Sequence, residues 1–245
     1  MKLINISVLL FFCILFTACF ELDNYDGPDA GIDGTLLDVE TGERIYTEQP
    51  DGCKIQLFEL KYAKPTPLDF WVKATGDFRN VALFSGSYKV LPVEGPVFPV
   101  DTAVVKLKGV TKHDFKVTPF IKITLEEIVK GEAGSAAVTV KFRLKRSATP
   151  AGFELESKTI SEARVLVQKQ PIVSIYNGGY LNDHSVTRTL SRSRDTVIEE
   201  TLYEVEVPDL KSGETYYLRV AALSSTKYNT MKRYNYTEII EIVAP

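Results

Sequence analysis

The sequence is poor in the side chains that carry most enzyme chemistry: two histidines, three cysteines and one tryptophan in 245 residues. His113 and His184 stand at no metal-ligand spacing from each other or from a cysteine, which excludes the common zinc patterns. His-Glu-x-x-His, Gly-x-Ser-x-Gly and phosphate-binding glycine loops are missing. Beyond residue 20 no segment approaches the roughly 18 consecutive apolar residues of a spanning helix. An excess of basic charge is lacking too: 29 Lys and Arg stand against 32 Asp and Glu, a formal charge of −3. That argues against general nucleic-acid binding, which needs a basic face to displace phosphate counterions. The hydrophobic (44%) and charged (25%) fractions are those of an ordinary folded chain. Neither a cofactor nor a metal is expected.

The first residues are unlike the rest. Lys2 is followed by an apolar run over residues 8–16, of the length of a signal-peptide core and too short to cross a bilayer. Small residues Thr17 and Ala18 precede Cys19. The stretch Phe16-Thr17-Ala18-Cys19 resembles the lipobox of bacterial lipoproteins. The resemblance implies a signal peptide over 1–18, acylation of the Cys19 thiol, and attachment to a membrane through that lipid. A simple secretory signal cleaved near Ala18 is the alternative. Residues 19–29, acidic and turn-rich, read as a tether. Acidic residues after such a cysteine also resemble the surface-export signal of Bacteroidota lipoproteins, which implies the outer membrane and the cell surface. A solvated linker is the other reading. With Cys13 in the signal and Cys19 at the anchor, Cys53 has no disulfide partner, and its alternating surroundings suit a buried thiol.

From Gly31 onward, period-two alternation recurs and long helical periodicity is absent, so the chain reads as all-β. Strands are expected at residues 34–39, 53–58 and 69–73, with turns at 40–42 and 51–52. Gly34, Leu36, Asp38, Thr41 and Gly42, then Gly76 and Phe78, then Leu83, Gly86, Tyr88 and Val90 form a spaced pattern. It resembles the carboxypeptidase-regulatory-like (transthyretin-like) sandwich, a non-catalytic domain, and would place Phe78 and Tyr88 between its sheets. The expected domain covers 30–117.

A second unit is expected over 118–245. Residues 135–145 alternate strictly, with Val138, Val140, Phe142 and Leu144 on one face and Thr139, Lys141, Arg143 and Lys145 on the other. Such a pattern suits a sheet with one solvated face. Residues 163–167, 203–207 and 237–243 extend the set. Leu210, Gly213 and Tyr216, followed by Leu218, Val220 and Ala222, resemble the tyrosine corner of a fibronectin type III domain. That implies an Ig-like sandwich in which the Tyr216 phenol reaches back to backbone near Leu210. The alternative register would turn Tyr217, Arg219 and Ala221 inward and bury an arginine.

Two tandem β-sandwiches after a lipobox resemble a Bacteroidota lipoprotein family of undefined role that accompanies starch-utilisation-type glycan uptake systems. The resemblance implies a non-enzymatic accessory binding or assembly subunit, with a glycan and an outer-membrane transporter or binding protein as partners. A structural or adhesin-type lipoprotein, presenting edge strands to protein partners, is the alternative. Adjacent carboxylates Glu126-Glu127 and Glu199-Glu200 point apart if strand-like and make poor glycosidase pairs. His184, in a loop-like stretch, is expected to be solvated. The aromatics are the better lead, because sugar rings stack on exposed aromatic faces. Trp71, Tyr176, Tyr180, Tyr228, Tyr234 and Tyr236 are the candidate ligand-binding residues. Core packing for Trp71, and cover of a hydrophobic rim for the tyrosines, are the competing roles.

Overall fold

A computed structural model describes residues 26–132 and 134–245. The expected signal peptide over 1–18 and the expected lipid site Cys19 lie outside the described residues. The described chain is all-β and is built as two β-sandwiches.

In the first sandwich β1 (Ala30–Asp38) is the central strand. It pairs with β4 (Asp77–Leu83) antiparallel, and with β7 (Gly109–Lys112) and β8 (Phe115–Val117) in parallel. The facing sheet runs β3 (Leu68–Trp71), β2 (Lys54–Glu59), β5 (Gly86–Val93), β6 (Ala103–Leu107). Alternation explains the core: Ile32 and Leu36 from β1, Ile55 and Leu57 from β2, and Tyr88 and Val90 from β5 are buried between the sheets. Phe78 and Tyr88 fill it as expected, and Cys53 is fully buried beside them. Burial pushes the Cys53 thiol up to about 12, so it carries no thiolate near neutrality. Gly34 is a glycine for a spatial reason: a Cβ there would collide with the His113 carbonyl and the Phe78 ring.

The second sandwich has one sheet of β13 (Tyr203–Val207), β10 (Val138–Arg146) and β9 (Ile121–Lys130). The other runs β12 (Val186–Thr189), β11 (Ile160–Gln168), β14 (Thr215–Ser224), β15 (Tyr234–Tyr236), with β16 (Ile240–Val243) also on β14. The strand expected over 237–243 forms only as β16, and the stretch before it, expected as a loop, carries β15. Thr237 lies between the two, its hydroxyl accepting from the Val220 amide, 3.0 Å, and its carbonyl accepting from Arg219. Glu199-Glu200 close a short helix, α1 (Asp195–Glu200), rather than lying on a strand. The buried Asp195 carboxylate holds that helix by accepting from the Thr159 and Ile160 amides.

The junction is interleaved. The Phe98 amide donates to the Thr118 carbonyl and the Phe120 amide to that of Pro96, both within 3.0 Å. Val97 belongs to the first core while Phe98, next to it, belongs to the second and packs edge-on against Phe120 at 5.0 Å.

The corner is formed as the sequence implied. Tyr216 is fully buried and its phenol oxygen accepts from the Lys211 amide at 3.1 Å. Leu218, Val220 and Ala222 share its face in the core. His184 is not a solvated loop residue: it packs edge-on against Tyr216 at 5.8 Å, and its Nδ1 lies 3.0 Å from the Pro208 carbonyl. The Tyr216→Phe variant is expected to lose about 0.5–1.5 kcal/mol, the net contribution of one hydrogen bond. Tyr217→Phe should leave stability nearly unchanged, because that side chain lies on the other face. Urea denaturation of the two variants checks the order; a weaker Tyr217 variant would contradict it.

Candidate functional site

The face of β14 opposite Tyr216 is the surprise. Tyr217, Arg219 and Ala221 point away from the core, yet Arg219 is only 2% exposed. The first sandwich covers it. A third apolar cluster of Leu166, Val173, Ala221 and Tyr236 forms there, with Tyr46 of the first sandwich packed against it. Tyr46 also pairs with Tyr236 by an isolated antiparallel bridge. The register with Tyr216 inward is thus correct, and the arginine is buried all the same.

Polar chemistry makes this seam tolerable. Arg219 donates to the carbonyls of Thr47 (3.2 Å), Val173 (3.1 Å) and Thr237 (2.9 Å). Its guanidinium carbon lies 4.0 Å from the centre of the Tyr236 ring, a cation–π geometry that counts for most when desolvated. Burial lowers Arg219 to about 10, which leaves it charged at neutral pH. Glu48 is the acceptor of the seam: one of its carboxylate oxygens takes hydrogen bonds from the Ser174 hydroxyl (2.8 Å), the Tyr236 phenol (2.8 Å) and the amides of Ile175 and Tyr176. Burial and the Glu48 charge hold the Tyr236 phenol well above its ordinary range, so it stays a donor. Asn235 adds a second link, accepting from the Ile121 amide (3.0 Å) and donating to the Pro96 carbonyl (2.9 Å).

Along this fixed seam runs an open groove of about 790 Å³. Asp38, Glu43, Arg44 and Tyr46 line it from the first sandwich; Lys122, Thr237 and Glu238 face them from the second. A smaller hollow of about 420 Å³ continues past Arg44 and Tyr46 toward Thr75 and Asp77. Tyr46 is half-buried, and burial together with the Glu238 charge raises its phenol. Burial disfavours the Lys122 ammonium, but the carboxylates of Asp38 (2.8 Å) and Glu40 (2.6 Å) outweigh it and raise its pKa. A half-buried aromatic ring among carboxylates, an ammonium, a guanidinium and hydroxyls can hold a ligand that has apolar faces and hydroxyl edges.

The expected aromatic residues are dispersed. Trp71 is neither core nor free: it sits partly exposed on edge strand β3 with the Lys54 ammonium 4.8 Å from its ring centre. Tyr228 packs among Phe98 and Phe153, and its phenol accepts from the Glu154 amide at 2.8 Å. Tyr236 is buried at the seam with Arg219 against its ring, although it also lines the groove. Tyr234 donates to Glu162 (2.7 Å), and Arg164 lies 2.5 Å from the same carboxylate and 3.5 Å from the Tyr180 phenol. Tyr180 and Tyr234 are thereby brought into one partly exposed cluster beside the seam. Tyr176, 39% exposed, borders it. Tyr46, Glu48, Arg44 and Glu238 escaped the sequence reading. The only signal was the alternation of Arg44, Tyr46 and Glu48, which resembles any short strand before a turn.

Fold and seam together define a class: tandem β-sandwiches locked edge to face, with a preformed polar groove along the junction. Residues 30–118 match the family model described as protein of unknown function (DUF3823) N-terminal domain. Among solved structures, a DUF3823 family protein from Bacteroides uniformis is similar at a TM-score of 0.75 and 20% identity, over 89% of this chain and 100% of that one. Another B. uniformis protein, described as a "putative carbohydrate binding protein", aligns at 0.69 and 24% identity over the same shares. A DUF3823 family protein from Parabacteroides merdae aligns at 0.67 and 20%, again over 89% and 100%. These likenesses establish the fold. No curated protein matches the chain.

Glu48→Ala leaves the Ser174 hydroxyl, the Tyr236 phenol and the Ile175 amide at the seam without this acceptor, so it should destabilise the protein by about 3 kcal/mol or more. Urea unfolding should also split from one transition into two as the sandwiches uncouple. A single unshifted transition would show that the seam does not couple them.

Proposed function

We propose that this protein is a non-enzymatic surface lipoprotein that binds glycan in the seam groove, serving a capture or uptake system as an accessory subunit. The observation that carries this reading is the groove itself: Tyr46 stands half-buried in an open hollow of about 790 Å³ with hydrogen-bonding side chains on both walls. That volume lies within the range of small-ligand sites, roughly 300–1,000 Å³. The walls come from two sandwiches held by a buried network, so little ordering accompanies binding. The name of the second B. uniformis structure agrees with a carbohydrate ligand. In this reading the first sandwich is of the carboxypeptidase-regulatory-like kind and the second of the fibronectin III-like kind. Cys19 carries the lipid that holds both at the outer membrane, and a transporter or binding protein there is the partner.

A soluble fragment, residues 20–245, tests the ligand on glycan arrays and polysaccharide affinity gels. Retention on at least one glycan is expected. Arg44→Ala combined with Glu238→Gln should then weaken binding about tenfold, equivalent to ~1.4 kcal/mol. Both residues are exposed, so stability should hold. No retention on any polysaccharide would remove the glycan reading and leave the adhesin-type role.

A further inference from the structure

We infer that the end of the first sandwich where β1 begins is a lipid-contacting surface that seats the protein on the membrane carrying its anchor. The inference rests on the acylated-Cys19 reading. Nine residues lie between Cys19 and Asp29, and the ten steps of fully extended chain that join them reach at most about 35 Å. Asp29 is fastened to the β4–β5 turn: its carboxylate accepts from the Ser85 amide (2.6 Å) and the Ser85 hydroxyl (2.7 Å). Those bonds hold the carboxyl below its ordinary range. The chain therefore leaves the fold at one defined place, within about 35 Å of the anchor.

What surrounds it includes exposed apolar side chains and lysines, beside the acidic Asp26 and Glu59. Phe84, adjoining Ser85, is 45% exposed, and Tyr62 in the β2–β3 connection is 55% exposed. Lys61 stands between the two, its ammonium 4.9 Å from one ring centre and 5.6 Å from the other. Val81 and Val110 lie on either side of Gly31, the second residue of β1, and both are about half exposed. Lys108 precedes Gly109, the partner of Ala30, and Lys106 pairs across from Ser87. Both lysines are exposed and make no ion pair among the described residues, whereas Asp29 is engaged by Ser85 and Glu59 by Lys61. Tyrosine, phenylalanine and lysine in this mix suit the headgroup boundary, where rings enter the acyl edge and ammonium groups meet phosphates. The contact need not be strong alone, because the tether supplies a high effective concentration.

The full chain, expressed with its signal and reconstituted in phosphatidylethanolamine–phosphatidylglycerol vesicles, tests this. A fluorophore on Ala63→Cys reports the patch, and one on Lys130→Cys, at the far end of β9, is the control. Cys53 is buried and does not compete for label. Nitroxide headgroup lipids should quench the first label severalfold more than the second. Tyr62→Ser with Lys108→Glu should abolish the difference while fatty-acid labelling of Cys19 continues. Equal quenching at both sites in a chain that incorporates the fatty-acid probe would overturn the docking alone. Absence of the probe from the wild type, or its persistence in Cys19→Ala, would overturn the anchor reading and the docking with it.

Discussion

Arg219 and Glu48 meet through Tyr236: the guanidinium lies on the ring, and the phenol donates to the carboxylate. A buried charge is costly unless every remaining donor and acceptor is occupied. Here the guanidinium reaches three carbonyls from three separate segments, one of them in the other sandwich. The carboxylate collects four donors from two segments of the second sandwich. These bonds form only when the two sandwiches sit in one relative position, and even then Arg219 Nε is left without a partner. Apolar packing at a seam tolerates sliding; this set of bonds does not. The groove alongside inherits its shape from that constraint, since Tyr46 lies two residues from Glu48 and Glu238 follows Thr237.

The same constraint explains what alternation could and could not convey. A period-two pattern reports which residues of a strand share a face, and β10 and β14 were legible on that basis, as was the Tyr216 corner. It does not report what covers the other face. Tyr217-Leu218-Arg219-Val220 has the pattern of a strand with one wet face, and burial of the arginine depends on residues 47 and 48, more than 170 positions earlier. Glu48 stands among Thr47, Gln49 and Pro50, a composition that signals a turn. The short helix was hidden for a related reason: six residues are too few for a helical period to show, and Asp195 secures it through the backbone of Thr159 and Ile160.

Tyrosine content was the most misleading signal. A phenol ring suits ligand stacking and suits closing a seam, and composition does not separate the two. Tyr228, Tyr234 and Tyr236 each place the hydroxyl on an internal partner, a backbone amide or a carboxylate. Their loop-like sequence context, rich in asparagine and basic residues, reflects the same internal bonding. Asn229 donates to the Ser224 and Arg233 carbonyls, and Asn235 bridges to Ile121 and Pro96. Tyr46, isolated in sequence from any other tyrosine, lines the groove together with Tyr236 and is the more exposed of the two.

β1 ties the two proposed surfaces together. Its first residues lie beside Phe84, Val81 and Val110; its last, Leu37 and Asp38, line the groove. Nine residues of strand rise by about 3.3 Å each, so the two surfaces stand roughly 25 Å apart along one stiff element. β1 is paired along its length, antiparallel to β4 and parallel to β7 and then β8, which prevents it from bending between them. A protein seated on lipid at the Ala30 end would therefore carry its groove clear of the headgroups. The second sandwich, locked through Arg219 and Glu48, could not fold back over that groove. The seam network and the tether exit are far apart in the structure, but in the proposed seating both would act on the groove, one by shaping it and the other by orienting it outward.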